Sequence, residues 1–132
     1  MVRAVLEGVA FNMRWILDVL RSLTGPGGIT SMRMIGGGMR SALWRQIFAD
    51  VYNLQLSRPH LDLAATSLGA AIAGGIGVGL FPDFSVVEKL IPVELAEYPD
   101  AATNAYYEKL YPLFQRTYTA LKPVFDELAQ ME

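Results

Sequence analysis

With 132 residues, 52% of them hydrophobic and 18% charged, the chain has the size of one domain and is too apolar to be intrinsically disordered. Its net charge of -2, spread over 11 basic and 13 acidic residues without clustering, excludes the electrostatic footprint of a nucleic-acid binder. The absence of cysteine excludes disulfides, thiolate zinc sites and a cysteine nucleophile, and it fits a reducing, cytoplasmic setting.

The first element is a long helix. Val5, Val9, Met13, Ile16, Leu20 and Leu23 recur at steps of three and four, and Leu6, Ala10 and Leu17 widen the stripe, so burial on more than one side is expected. Arg3, Glu7 and Arg14 interrupt the apolar run, which argues against an export signal. Gly25-Pro26-Gly27-Gly28 should stop the helix. Ile29 to Ile35 then reads as a short strand running into Gly36-Gly37-Gly38. Ser41 is the N-cap candidate of a second helix carrying Leu43, Trp44, Ile47, Phe48 and Val51. Leu54 to Arg58, closed by Pro59, is the second strand, and a strand-helix-strand unit of this length predicts a parallel pair.

From Leu63 to Pro82 the chain carries no charge, which raises the question of a membrane span. Five glycines and five alanines fill that run and no flanking anchors mark its edges, so a helix buried in protein is expected and no membrane partner. Asp83 to Ile91 reads as a short helix and Pro92 to Pro99 as an irregular link. A final helix carries Tyr107, Tyr111, Phe114, Tyr118, Leu121, Phe125 and Leu128 at helical spacing, with Pro112 and Pro123 as kinks or breaks. The expected class is α/β and helix-rich, with about two parallel strands. Two strands leave two open edges and too little surface for the helices. Either a second copy covers what remains or the chain is the end of a longer polypeptide.

The strongest local signal is Met34-Ile35-Gly36-Gly37-Gly38-Met39-Arg40-Ser41. Glycines after a strand let a ligand approach the backbone, and the turn suits a phosphate or ribose, with a plain structural turn as the alternative. It matches neither the dinucleotide fingerprint nor the Walker lysine loop. The wider run Ile35-Gly36-Gly37-Gly38-Met39-Arg40-Ser41-x-Leu43-Trp44-Arg45-Gln46-Ile47-x-Ala49-Asp50-Val51 resembles the nucleotide-site motif of the FGGY carbohydrate kinases. The resemblance extends to Arg3–Phe11, to Ala65-Thr66-Ser67-Leu68-Gly69-Ala70-Ala71, and to a C-terminal Tyr107-x-x-Leu110-Tyr111-x-x-Phe114 that is similar to the xylulokinase branch.

That resemblance implies that residues 1–132 are the last part of the C-terminal domain of a two-domain kinase with the ribonuclease H-like, actin-type ATPase fold. Such enzymes use ATP and Mg²⁺ to phosphorylate a sugar hydroxyl, with ADP as product. The catalytic aspartate and most of the sugar pocket would belong to preceding sequence, so the sugar is a partner only together with the N-terminal domain. On the same grounds Gly36, Gly37 and Gly38 would lie along phosphate and ribose, Ser41 would take a polar adenine-site position, and Arg40 would reach a phosphate or solvent. Gln46 and Asp50 are expected to hold their helix and its ends.

No catalytic residue is assigned. Asp18, Asp50, Asp62, Asp83, Asp100 and Asp126 are scattered and read as caps or surface charges. His60, the single histidine, stands without the cluster a metal site needs and is read as structural. Ala64 occupies a position where relatives of this type often carry a glutamate. A noncatalytic oligomerisation module derived from such a kinase, simplest as a two-fold homodimer, is the competing reading.

Overall fold

The computed structural model describes residues 2–25, 27–59 and 65–131. Pro26, His60, Asp62 and Ala64 lie outside them. Helix α1 runs over Val2–Thr24, strand β1 over Ser31–Arg33, a 3-10 turn over Gly37–Arg40, α2 over Ala42–Tyr52, β2 over Gln55–Pro59, α3 over Ala65–Gly77, α4 over Val86–Leu90, β3 over Val93–Glu97 and α5 over Ala101–Ala129.

β1 and β2 pair in parallel, Met32 opposite Leu56, as the crossover through α2 requires. The expected irregular link at Pro92 to Pro99 is instead a third strand: β3 pairs antiparallel with β2, Leu56 opposite Glu97. The sheet is therefore mixed, with three strands in the order β1-β2-β3 rather than about two parallel ones. It still leaves β1 and β3 as edges.

The core forms where α1, α2 and α5 meet. Phe11 is its hub, with ring centroids 5.6 Å from Tyr107, 5.9 Å from Tyr111 and 5.5 Å from Phe114. Ala10, Leu17, Ile47, Phe48, Val51, Leu54 and Leu56 complete it. Polar side chains tie the helices together at the rim. Arg14 donates to the Val51 carbonyl at 3.0 Å and pairs with Glu108 at 2.8 Å, with its guanidinium 4.2 Å from the Tyr111 ring centre. Arg21 donates to the Tyr52 carbonyl at 2.8 Å. Two cations of α1 thus sit on the last carbonyls of α2, where the helix dipole favours them. The Tyr111 hydroxyl donates to Asp18 at 2.7 Å, and burial, then that bond, pushes its pKa well above the ordinary tyrosine range.

Of the α1 residues picked out by periodicity, Ala10 and Leu17 are buried as expected, but the main stripe is not. Ala10, Phe11, Arg14 and Leu17 turn inward, while Val5, Val9, Met13, Ile16, Leu20 and Leu23 are all exposed, Val5 at 66% and Leu23 at 78%. α5 is divided along its length: Tyr107 and Tyr111 are buried, whereas Tyr118, Leu121, Phe125 and Leu128 are exposed. Neither proline breaks it, and the helix runs unbroken over Ala101–Ala129. The total surface is 8769 Å², against roughly 6,900 Å² for a compact monomer of this mass. Most of the small residues of α3, including Thr66, Ser67, Gly69, Ala70 and Ala71, are exposed as well. Gly75 is the exception, with the Phe81 ring 2.7 Å from where a Cβ would stand.

Candidate functional site

The glycine turn grows directly out of the sheet. Beyond β1, the Met34 amide still donates to the Ser57 carbonyl at 2.8 Å, which carries the pairing one residue further. Gly36 then adopts φ 105°, ψ 167°, a region open in practice only to glycine. This reverses the chain into the 3-10 turn, closed by the Met39 amide on the Gly36 carbonyl at 3.0 Å and the Ser41 amide on the Gly38 carbonyl at 3.2 Å. Ser41 caps α2 as expected, its hydroxyl accepting from the Trp44 amide at 3.3 Å.

The three glycines serve different physical ends. Gly36 is required by its backbone angles. Gly37 is required by nothing among the described residues, since a Cβ there would meet none of their atoms within 4 Å. Gly38 is required by packing: a Cβ would stand 2.6 Å from Cε3 of Trp44, so the indole fills that side of the turn. Of the three, Gly36 and Gly37 have open space on the Cβ side, and the side chains of Arg40 and Ser41 are exposed beside it. All five residues singled out in the sequence thus fall on one continuous turn.

Behind the turn lies a set of polar contacts that the sequence did not disclose. Arg45, buried on α2, donates from Nη1 to the Met39 carbonyl at 2.7 Å and from Nε to Oε1 of Glu97 on β3 at 2.7 Å. Further along the same helix, Asp50 is 4% exposed, a buried carboxylate and not the cap or surface charge expected of it. Its Oδ1 accepts from Gln46 and from the Asp100 amide, each at 2.8 Å, and its carbonyl accepts from Asn104 at 2.8 Å. Gln46 also donates to the Tyr98 carbonyl at 2.9 Å. Gln46 and Asp50 therefore do hold helix ends, those of α2 and α5 together. Arg45 lies inside the recognised motif, but its partner is 52 residues away and no local pattern names it.

The remaining aspartates among the described residues are engaged locally. Asp83 accepts from the Ser85 amide at 2.7 Å and Asp126 pairs with Lys122 at 2.7 Å, but Asp18 is the exception, accepting from Tyr111 across 93 residues instead of acting as a cap or surface charge. Asp100 caps α5, and its bonds from the Thr103 amide and hydroxyl hold its carboxyl below the usual range. Among the described residues no group of three or more His, Cys, Asp or Glu could hold a metal ion, and no helix is long and apolar enough to cross a membrane. Two clefts formed by described residues lie away from the glycine turn. One of about 520 Å³ is lined by Arg21, Ser22, Gly25, Gly27, Gly28 and Ile29. A smaller one of about 290 Å³ opens between α1 and α5 at Trp15 and Tyr118.

Residues 1–78 match the C-terminal domain of the FGGY family of carbohydrate kinases, a stretch that runs from α1 through α3. The xylulose kinase of Escherichia coli is 36% identical over 94% of this chain and 25% of its own length. The gluconokinase of Bacillus licheniformis is 31% identical over 100% of this chain and 25% of its own. Among solved structures, the ligand-bound xylulose kinase from Lactobacillus acidophilus superposes with a TM-score of 0.80 at 26% identity, covering 97% of this chain and 26% of that one. The chain spans about a quarter of the length of each of these relatives.

Proposed function

Because the chain belongs to the FGGY family of carbohydrate kinases through their C-terminal domain, we propose that it is the nucleotide-holding part of an ATP-dependent sugar kinase of the xylulokinase type. The observation that carries this reading is the bare backbone at Gly36 and Gly37, presented at the end of β1 with no atom of the described residues within 4 Å of where a Cβ would stand. Gly36, Gly37 and Gly38 would follow the phosphates and ribose, with Arg40 and Ser41 at its edge. Bound ATP supplies the phosphoryl group, with Mg²⁺ arriving on the nucleotide. This chain's residues bind and orient it; the base and most sugar contacts belong to the rest of a full-length enzyme. We read the three-stranded sheet as part of a ribonuclease H-like domain.

Relatives named for xylulose, gluconate and glycerol match this quarter at 31–36% identity. Such similar scores across different substrates support a role common to all of them, and holding the nucleotide is one.

Calorimetric titration of Mg-ADP and Mg-ATP into the chain and its Gly37→Asp variant tests the reading. The aspartate fits sterically, because its Cβ meets nothing, but it places a negative charge against phosphate. We expect saturable binding by the parent and at least about tenfold weaker binding by a variant that melts at the same temperature. No binding by the folded parent, or equal affinities, would defeat the proposal.

A second reading, an association module, is favoured by the exposed stripe Val5, Val9, Met13, Ile16, Leu20 and Leu23. An apolar strip along the length of one helix is the kind of surface that proteins cover. If a second copy covers it, light scattering will give twice the chain mass at high concentration, and Met13→Lys with Ile16→Lys will return the single mass. A monomer at every concentration would rule this out.

A further inference from the structure

We propose that Arg45 is the positioning residue of the glycine turn, clamping it to the far edge of the sheet through Glu97; the inference rests on the turn being the nucleotide site. Four observations support it. The Arg45 guanidinium is buried and reaches two elements at once, the Met39 carbonyl inside the 3-10 turn and the Glu97 carboxylate on β3, both at 2.7 Å. Those bonds are charge-assisted, the shorter and stronger kind. Glu97 stands opposite Leu56, and Leu56 opposite Met32, so the side-chain bridge ends on the same cross-sheet row from which β1 departs toward Gly36.

The outcome is a closed ring of bonds: from β1 into the turn, from the turn's Met39 to α2 through Arg45, from Arg45 to β3, and through β2 back to β1. A turn at the open edge of a small sheet would otherwise be held only by β1, by the start of α2 and by its own bonds. Gly36 and Gly37, lacking side chains, have no packing of their own to fix them, and a backbone that must meet a phosphate has to be held to within a fraction of an ångström. The ring supplies that constraint from behind and leaves the ligand side clear. It also explains what β3 contributes, since residue 97 lies beyond the stretch matched to the family domain, yet it holds the motif inside that stretch.

The test uses Arg45→Lys, which keeps a cation but cannot donate to both acceptors in the planar geometry of a guanidinium, and Glu97→Gln, which keeps an acceptor and removes the charge. Residue-resolved hydrogen exchange is measured at the Met39 and Ser41 amides, whose bonds close the turn, with the core amides of α1 as the internal control, alongside the Kd for Mg-ADP. We expect exchange at the two turn amides to quicken at least about tenfold while α1 is unchanged, and the Kd to rise about tenfold without a matching fall in melting temperature.

Unchanged exchange at the turn would overturn the proposal. So would a uniform rise through α1 and α5, which would make Arg45 a general support of the fold. Quickened turn exchange with an unaltered Kd in a chain that binds Mg-ADP would overturn it too, since the clamp would then not serve the nucleotide. If the parent chain binds no Mg-ADP, the nucleotide reading fails by itself, and the exchange data still show whether Arg45 holds the turn. Should Arg45→Lys fail to fold, Glu97→Gln alone decides.

Discussion

Replacing Phe11 by alanine is expected to remove about 3–5 kcal/mol of stability, a large share of the roughly 5–15 kcal/mol that domains possess. Phe11 is 5% exposed and touches three aromatic rings of α5, one of them edge-on at 85°. The edge-to-face contact adds to the area term. Two of the three neighbouring rings resist collapse into the space, because Tyr107 is anchored by its hydroxyl on Glu7 at 2.8 Å and Tyr111 by Asp18 at 2.7 Å. Urea titration followed by circular dichroism should show the variant's midpoint shifted sharply toward lower denaturant, equivalent to about 3–5 kcal/mol. A loss below about 1 kcal/mol would mean that α1 and α5 do not pack in solution as described.

Gly38→Ala should cost about 1–3 kcal/mol, far more than adding one methyl to a turn residue usually does. The new carbon would press on Cζ3 of the six-membered ring of Trp44 and stand 2.6 Å from its Cε3, and an indole cannot bend away as a flexible chain end would. Trp44 stacks on Phe48 at 5.7 Å, and Phe48 meets Tyr52 in a tilted contact at 5.3 Å, so any displacement runs down the aromatic face of α2. The comparison that isolates the cause is Gly37→Ala, where a Cβ meets nothing and the change should be near neutral. Equal melting temperatures for the two alanine variants would show that the indole does not rest on the turn.

How much of the fold is legible in the sequence depends on the range of the interaction. Ser41 as a cap, the parallel pair flanking α2 and the stop after Thr24 all follow from residues within a few positions of one another. β3 escapes a reading by pattern because Val93-Glu94-Leu95-Ala96-Glu97 is short, acidic and set between prolines; what makes it a strand is pairing with β2, far earlier in the chain, and propensity does not contain that. Pro112 and Pro123 suggest kinks or breaks, but both are exposed, so solvent can take up the carbonyls left without a donor, and the helix continues.

The buried face of α1 is more informative. Periodicity selects the more apolar stripe, yet the face turned inward is the one that carries Arg14, whose charge is answered by Glu108, the Val51 carbonyl and the Tyr111 ring. Burial of an arginine depends on partners from two other helices, none of which its own neighbours in sequence reveal. The candidate site divides the same way. Its glycines, Arg40 and Ser41 are a contiguous motif, whereas Arg45 acquires its role only through Glu97.

Trp44 gives the chain an optical readout of its own. Its indole lies against Gly38, and among the described residues its buried Nε1 has no hydrogen-bond partner, so its emission depends on how the turn above it is arranged. Trp15, the other tryptophan of the chain, is packed against Tyr118 at the seam between α1 and α5, 5.4 Å between ring centres. The two fluorophores report on different events, one on the turn and the other on the association of the two long helices, and substituting either by phenylalanine leaves a single-colour sensor for the other.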